Sequence, residues 1–248
     1  MRVAAIYDIH ANLPALEAVL EEIRRSEVEQ IVVGGDVFPG PMPRETIARL
    51  LSLDLPVHFL QGNGDREVVA CMRGSEPDTV PERFRETLRW VAQQLHPEYE
   101  QVLANWPKTL RLRMHDSAEV LFCHATPRND TEIFTRLTPE PALLPVFDGL
   151  DVSIVVCGHT HMQFDRIIAG VRVVNAGSVG MPFGKPGAHW LLLGPDVQLK
   201  QTAYDLGDAA ERIRNTKYPQ AGEFAARNVL QPPSEAETLE AFARVELK

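Results

Sequence analysis

Seven side chains able to ligate a divalent metal ion occur in five short segments: Asp8 and His10 in YDIHAN, Asp36 in GGDVF, Asn63 in QGNGD, His124 in CHAT, and His159 with His161 in CGHTH. The set is carboxylate, imidazole and amide, with no thiolate. That mixture suits five- or six-coordinate Mn, Fe or Zn better than a structural tetrahedral zinc. One Asp-x-His or His-x-His pair fits a solvated turn as well as it fits a metal. The whole set does not, because burying so many polar groups at one place without a cation costs several kcal/mol. Four of the eight histidines lie in these segments, and none of the four belongs to an amphipathic stripe that would make it a core residue.

An apolar run precedes every segment: VAAIY, QIVVG, VHFL, EVLF and VSIVV. Runs this short, rich in Val and Ile and closed by Gly or polar residues, predict buried strands. Ligands of open α/β sheets bind outside the carboxyl ends of strands, so five strand ends can carry all seven donors to one rim. Apolar residues at 13, 16, 19, 20 and 23, with Pro14 near the start, predict a helix over Leu13–Ser26. Strand 31–33, helix 44–52 and strand 57–60 then continue a parallel βαβαβ start. Residues 66–105 read as a helical cap or rim beside the site. Later, TLRLRM and the segments 164–168, 171–174, 189–193 and 197–202 read as short strands of an antiparallel second sheet packed on the first. Helical patterns follow position 203, broken at Pro219 and Pro232-Pro233. They suit either a surface helix pair or a dimer contact, and the oligomeric state is left open.

Composition narrows the class. The chain has 248 residues, 44% hydrophobic and 24% charged, as in ordinary globular proteins. We read residues 1–205 as one domain with 206–248 as its helical extension. Three cysteines, Cys71, Cys123 and Cys157, without CxxC spacing argue against a disulfide framework and a structural zinc site. No apolar run approaches the ~20 residues of a membrane span and no signal-peptide core opens the chain, so no membrane partner and a cytoplasmic location are expected. The net charge of −9 disfavours duplex nucleic acid. A metal pair would make the cleft itself positive, which favours a small anionic substrate.

In order and spacing, Asp8-Ile9-His10, Gly35-Asp36, Gly62-Asn63-Gly64-Asp65, His124 and Gly158-His159-Thr160-His161 resemble the five-part motif of the calcineurin-like metallophosphoesterases. The likeness runs from residue 2 to about residue 202 and is strongest toward the small bacterial and archaeal phosphodiesterases of the YfcE-like branch, which also tend to carry a segment like NAGSVGMP at 175–182. It implies a four-layer α/β/β/α sandwich of two mixed sheets flanked by helices. It also implies two divalent ions, Mn foremost, with Fe, Zn, Ni or Mg as alternatives. Asp8, His10, Asp36 and His161 would hold the first, and Asp36, Asn63, His124 and His159 the second, with Asp36 bridging. Two ions about 3.5–4 Å apart bring a shared water's pKa toward neutrality, so attack by metal-bound hydroxide on a phosphoester is the implied reaction.

The resemblance departs at one place. The family's Gly-Asn-His-Asp has become Gly62-Asn63-Gly64-Asp65, so the histidine assigned as general acid is missing. The catalytic candidates are therefore Asp36, Asn63 and Asp65. Asp65, deprived of its histidine, is expected to pair with Arg66 or Arg128, and either arginine is a candidate for substrate phosphate. Gly64→His is expected to restore an imidazole at the leaving oxygen. Losing a general acid costs about 10²- to 10⁴-fold, which favours small phosphodiesters with good leaving groups. The alternatives are a phosphomonoesterase or dinucleoside polyphosphate hydrolase recruiting His58, His115 or His189 as the acid, and a metal-binding interaction module without turnover.

Overall fold

The structure is a computed structural model describing residues 1–75, 77, 80–114 and 118–245. The βαβαβ start is present as β1 (Val3–Ile6), α1 (Leu13–Arg25), β2 (Gln30–Val33), α2 (Pro43–Leu51) and β3 (Val57–Phe59), with β1, β2 and β3 parallel. Helix α1 starts where the Asn12 side chain accepts from Ala15 N, a cap for a donor the helix cannot satisfy itself. Its buried face includes Leu13, Leu16, Val19, Leu20 and Ile23, the stripe visible in the sequence. The cap region forms α3 (Asn63–Met72), α4 (Glu82–Gln94) and α5 (Glu98–Ala104). Beyond it come β4 (Thr109–Arg113), β5 (Glu119–Cys123), α6 (Glu140–Phe147), β6 (Ile154–Cys157), β7 (Phe164–Ile168), β8 (Val171–Asn175), β9 (Ala188–Leu193) and β10 (Val197–Thr202).

Two five-stranded sheets result, ordered β10-β9-β1-β2-β3 and β4-β5-β6-β8-β7. Neither is the antiparallel second sheet read from the sequence. Strands β9 and β10 join the first sheet, β9 antiparallel to β1, while β5, β6 and β8 run parallel at the centre of the second. The reason lies in burial: all six residues of β9 are buried, which suits an interior strand covered on both faces.

The period-2 alternation of strand side chains sorts the apolar residues into layers. Ala4, Ile6, Ile31 and Val33 face helices α1 and α2, whereas Val3, Ala5, Tyr7 and Val32 meet Val120, Phe122, Val156 and Val174 between the sheets. On the far side, Leu121, Val155 and Val173 pack with Leu143 and Phe147 of α6. This is the four-layer α/β/β/α sandwich.

The C-terminal stretch forms α7 (Leu206–Arg214), α8 (Ala221–Phe224), a π-helical turn at Ala225–Leu230 and α9 (Glu235–Phe242). Ala209, Ile213, Tyr218, Phe224 and Val229 are buried in the same cluster as α1 and Trp190, so this segment belongs to the core of the first sheet's outer face. No helix among the described residues is long and apolar enough to cross a membrane.

Candidate metal centre

Each of the seven candidate donors follows a parallel strand directly. Asp8 and His10 follow β1, Asp36 follows β2, and Asn63 opens α3 after β3. His124 follows β5, and His159 and His161 follow β6. Beyond their ends β1 and β2 stay paired through Asp8 N to Gly35 O, His10 N to Asp36 O and Ala11 N to Val37 O. Asp8, His10, Asp36, His159 and His161 all have φ between 47° and 66°, a left-handed conformation uncommon outside glycine that clusters at functional sites.

The donors fall into two groups, Asp8 with His10 and His161, and Asp36 with His124 and His159. In the first, His10 Nδ1 lies 3.1 Å from Pro39 O and His161 Nδ1 2.7 Å from Met181 O. A carbonyl can only accept, so each Nδ1 carries the proton and each neutral ring presents an Nε2 lone pair. The two Nε2 atoms face each other at 3.2 Å. Asp8 Oδ1 is 3.3 Å from His161 Nε2 and accepts no hydrogen bond, although Asp8 is fully buried. Three converging lone-pair atoms with nothing between them fit a cation, whose ligands at about 2.0–2.2 Å stand about 3 Å from one another. Burial lowers the His161 pKa, but the Asp8 carboxylate outweighs it and raises the net value.

His124 completes the second group, its Nδ1 3.0 Å from Gly34 O. One terminal atom of the Asn63 amide lies 3.2 Å from His124 Nε2 and 3.1 Å from His159 Nδ1. When that atom is the amide oxygen, it faces acceptors alone, an arrangement that again calls for a cation. Asp36 reaches both groups: Oδ1 is 3.6 Å from His124 Nε2 and Oδ2 3.8 Å from His10 Nε2. Gly64 N donates to Asp36 Oδ1 at 2.7 Å. Burial first, and then the Asp8 charge, push the Asp36 carboxyl well above its usual range. Burial also brings His10 and His159 down to about 3. Neutral imidazoles beside buried carboxyls form a donor set that suits divalent cations.

Asp65 differs from the expectation. It is fully buried and pairs with no arginine; Oδ2 accepts from Asp36 N at 2.8 Å and Gly62 N at 3.0 Å, and Oδ1 from Phe38 N at 3.1 Å. Burial and then the Asp36 charge raise its pKa to about 8 against those N–H bonds. Its carboxylate therefore ties the Asp36 turn to the start of α3. Arg66 binds Asp130 instead, at 2.7 and 3.3 Å, and Arg128 binds Glu132. Sequence distance hid Asp130, which lies 64 positions from Arg66; Glu132 is only four positions from Arg128 and was open to an i,i+4 reading.

Gly64 also differs. A Cβ there would lie 2.3 Å from Phe38 O and 2.9 Å from Pro39 Cδ. The obstacle is backbone packing, so the expectation that Gly64→His restores a catalytic acid is replaced by its opposite. Gly64→His should push the Phe38–Pro39 loop away and loosen Asp36, lowering metal content and Tm together. A variant with both unchanged on elemental analysis and thermal melting would sink this reading. Neither His58 nor His189 substitutes. His58 bonds Gln30 at 2.9 Å on β3, His189 is buried on β9, and neither lines the cleft; His115 lies outside the described residues.

That cleft, about 380 Å³, opens over His10, Asp36 and Asn63. Its walls come from α4 and from the C-terminal stretch, including Phe84, Leu88, Tyr218 and Phe224. The C-terminal contribution escaped the sequence reading, because a helical pattern broken by prolines says nothing about which surface it covers.

A model of the calcineurin-like phosphoesterase superfamily domain matches residues 1–196, and the chain belongs to that superfamily. The phosphodiesterase YfcE of Escherichia coli K12 is 27% identical over 206 residues, 79% of this chain and 89% of its own. A metallophosphoesterase from Sphaerobacter thermophilus superposes with a TM-score of 0.72 at 28% identity, covering 92% of this chain and 99% of its own. A hypothetical protein from Pyrococcus horikoshii OT3 shares the fold at TM-score 0.76 and 22% identity, over 94% of this chain and 99% of its own. Membership implies hydrolysis of phosphoesters with divalent metal ions.

Proposed function

We propose that this protein is a dinuclear metal-dependent phosphodiesterase acting on small phosphodiesters. Asp8, His10, Asp36 and His161 would hold one ion, and Asp36, Asn63, His124 and His159 the other, with manganese favoured over iron, zinc, nickel or magnesium. The observation that carries the reading is the division of the donor atoms into two groups with one carboxylate, Asp36, directed at both. Ions so held would supply Lewis acidity to water and charge to a phosphate at neutral pH. The protein's own residues do the rest. Backbone carbonyls at 34, 39 and 181 fix three imidazoles, the Gly64 N–H fixes Asp36, and the cleft admits the ester. Such outer bonds commonly contribute 10- to 100-fold in metal affinity or activity.

No side chain stands at position 64 to protonate a leaving group, which favours diesters whose leaving group departs unaided. Arg66 and Arg128 remain proposed phosphate contacts, each having to exchange its acidic partner for the substrate. Arg128 flanks a small recess with Lys108 and His124.

Manganese loading followed by elemental analysis, and assay on bis-p-nitrophenyl and mono-p-nitrophenyl phosphate, tests the reading. Expected are two ions per chain and a kcat/KM for the diester at least about tenfold above the monoester, abolished by chelation. A reproducible single ion would overturn the dinuclear assignment. Faster turnover of the monoester would replace diesterase by monoesterase, and bound metal with no turnover of either would leave a non-catalytic metal-binding module.

A further inference from the structure

His161 carries two restraints besides the donors it faces, and both come from one loop. Residues 176–187 join β8 to β9 without a helix or strand of their own. From this loop Met181 O receives the His161 Nδ1–H at 2.7 Å. The Phe183 ring stacks on the same imidazole, with centroids 5.0 Å apart and planes 26° from parallel. A hydrogen bond in the ring plane fixes which nitrogen is bare, whereas a ring lying on the face stops the imidazole from tilting out of the donor group. Connecting loops are the mobile part of a fold, so a loop that sets a donor's direction needs a tie of its own.

The C-terminal stretch supplies that tie. Gly184 N donates to Pro233 O at 2.8 Å, and a Cβ at Gly184 would meet Glu235 Cβ at 3.4 Å. Phe242 meets the Phe183 ring edge-on, at 6.2 Å and 64°, within the range where aromatic pairs attract. Helix α9, between these contacts, is fastened in turn. Ser234 and Glu237 close a capping box at its start, Glu235 pairs with Arg136, and Leu239 is buried. Neither Phe183 nor Phe242 belongs to the three apolar clusters of the core among the described residues, so these rings do not fill the core; what they bear on is His161. The whole of 233–242 lies beyond residue 196, where the superfamily match ends. We propose that residues 233–242 form a strap that positions His161 through Phe183, making Phe183 and Phe242 positioning residues that set the affinity of the Asp8, His10 and His161 group for its cation. The proposal rests on the metal-centre reading for the cation and goes beyond it in giving the C-terminal stretch a part in holding a donor.

Two measurements on the full chain test it. In the apoprotein at neutral pH, NMR follows the ring proton on His161 Nδ1, with those of His10 and His124, which donate to Pro39 O and Gly34 O, as internal references. Calorimetric titration with manganese gives the affinity for each ion. Phe183→Ala and Phe242→Ala should quicken solvent exchange of the His161 ring proton while the two reference protons keep their rates. Both variants should weaken the binding of one ion and spare the other, by about tenfold for Phe183→Ala and by less for Phe242→Ala. Phe242→Tyr, which keeps the ring, should restore both readouts. Val146→Ala, at a buried position of α6, controls for general loss of stability and should change neither. An unchanged His161 ring proton in both alanine variants, equal weakening of both ions, or the same effects in Val146→Ala would overturn the strap. Wild-type protein that binds no manganese would overturn the metal-centre reading and the affinity part with it, while the ring-proton comparison would still decide whether the strap positions His161.

Discussion

Asp36→Asn should yield a folded protein that binds fewer than two ions and turns over diesters about 10²- to 10⁴-fold more slowly. The carboxylate is 4% exposed and points one oxygen toward each donor group, so under the proposed dinuclear reading the substitution would withdraw a charge from both ions at once. Removing one partner of a buried charge pair costs about 3–5 kcal/mol, and each 1.36 kcal/mol is a tenfold change. Stability should move the other way in the apoprotein. There Asp36 and Asp8 are two buried carboxyls that raise each other's cost of ionisation, so the neutral amide should hold or raise the apo Tm while shrinking the Tm gain on adding manganese. Elemental analysis, kinetics and melts with and without manganese check the three parts. Near-normal turnover with two ions bound would remove Asp36 from its bridging role.

Asp65→Ala should unfold much of what Asp36→Asn leaves standing. Its carboxylate satisfies the N–H groups of Asp36, Gly62 and Phe38 with no exposure to water. A buried donor left without a partner costs about 1–3 kcal/mol, so three amount to about 3–9 kcal/mol, a large part of the roughly 5–15 kcal/mol that holds a domain together. For a chain of this size that corresponds to a fall in Tm of about 10 °C or more. Asp65→Asn should be intermediate, because one oxygen still accepts while the amide N–H₂ meets another donor. If Asp65 acted on protons in the reaction, Asp65→Asn would lower kcat at an undisturbed Tm, and melting curves beside kinetics separate the two roles.

The sequence carried much of this because strands and their terminal loops are local. VAAIY, QIVVG and VSIVV announce buried strands by composition, and a polar residue directly after such a run is already at the sheet's rim. The motif's order therefore picked out residues that converge at the rim in two groups; their assignment to two ions is a proposal that rests on the resemblance. Sheet membership was not local. AHWLLL reads alike for either sheet, and only its burial beside β1 assigns β9 to the first. Partners of Asp65 were hidden for another reason: they are backbone N–H groups, which no side-chain pattern encodes. The missing space at Gly64 likewise comes from Phe38 O, a contact across 26 positions.

The left-handed backbone at Asp8, His10, Asp36, His159 and His161 makes the rim behave like a set of loaded springs. An L-residue in that conformation gives up about 1–2 kcal/mol, so the donor loops lean toward release whenever nothing draws the side chains inward. Under the proposed dinuclear reading, bound ions would act as the latch. Local opening of such loops is governed by a smaller free energy than global unfolding, and chelation should quicken amide exchange at these five positions while the β1 and β2 interiors stay protected. A rim that relaxes when empty can admit an ion without dismantling either sheet.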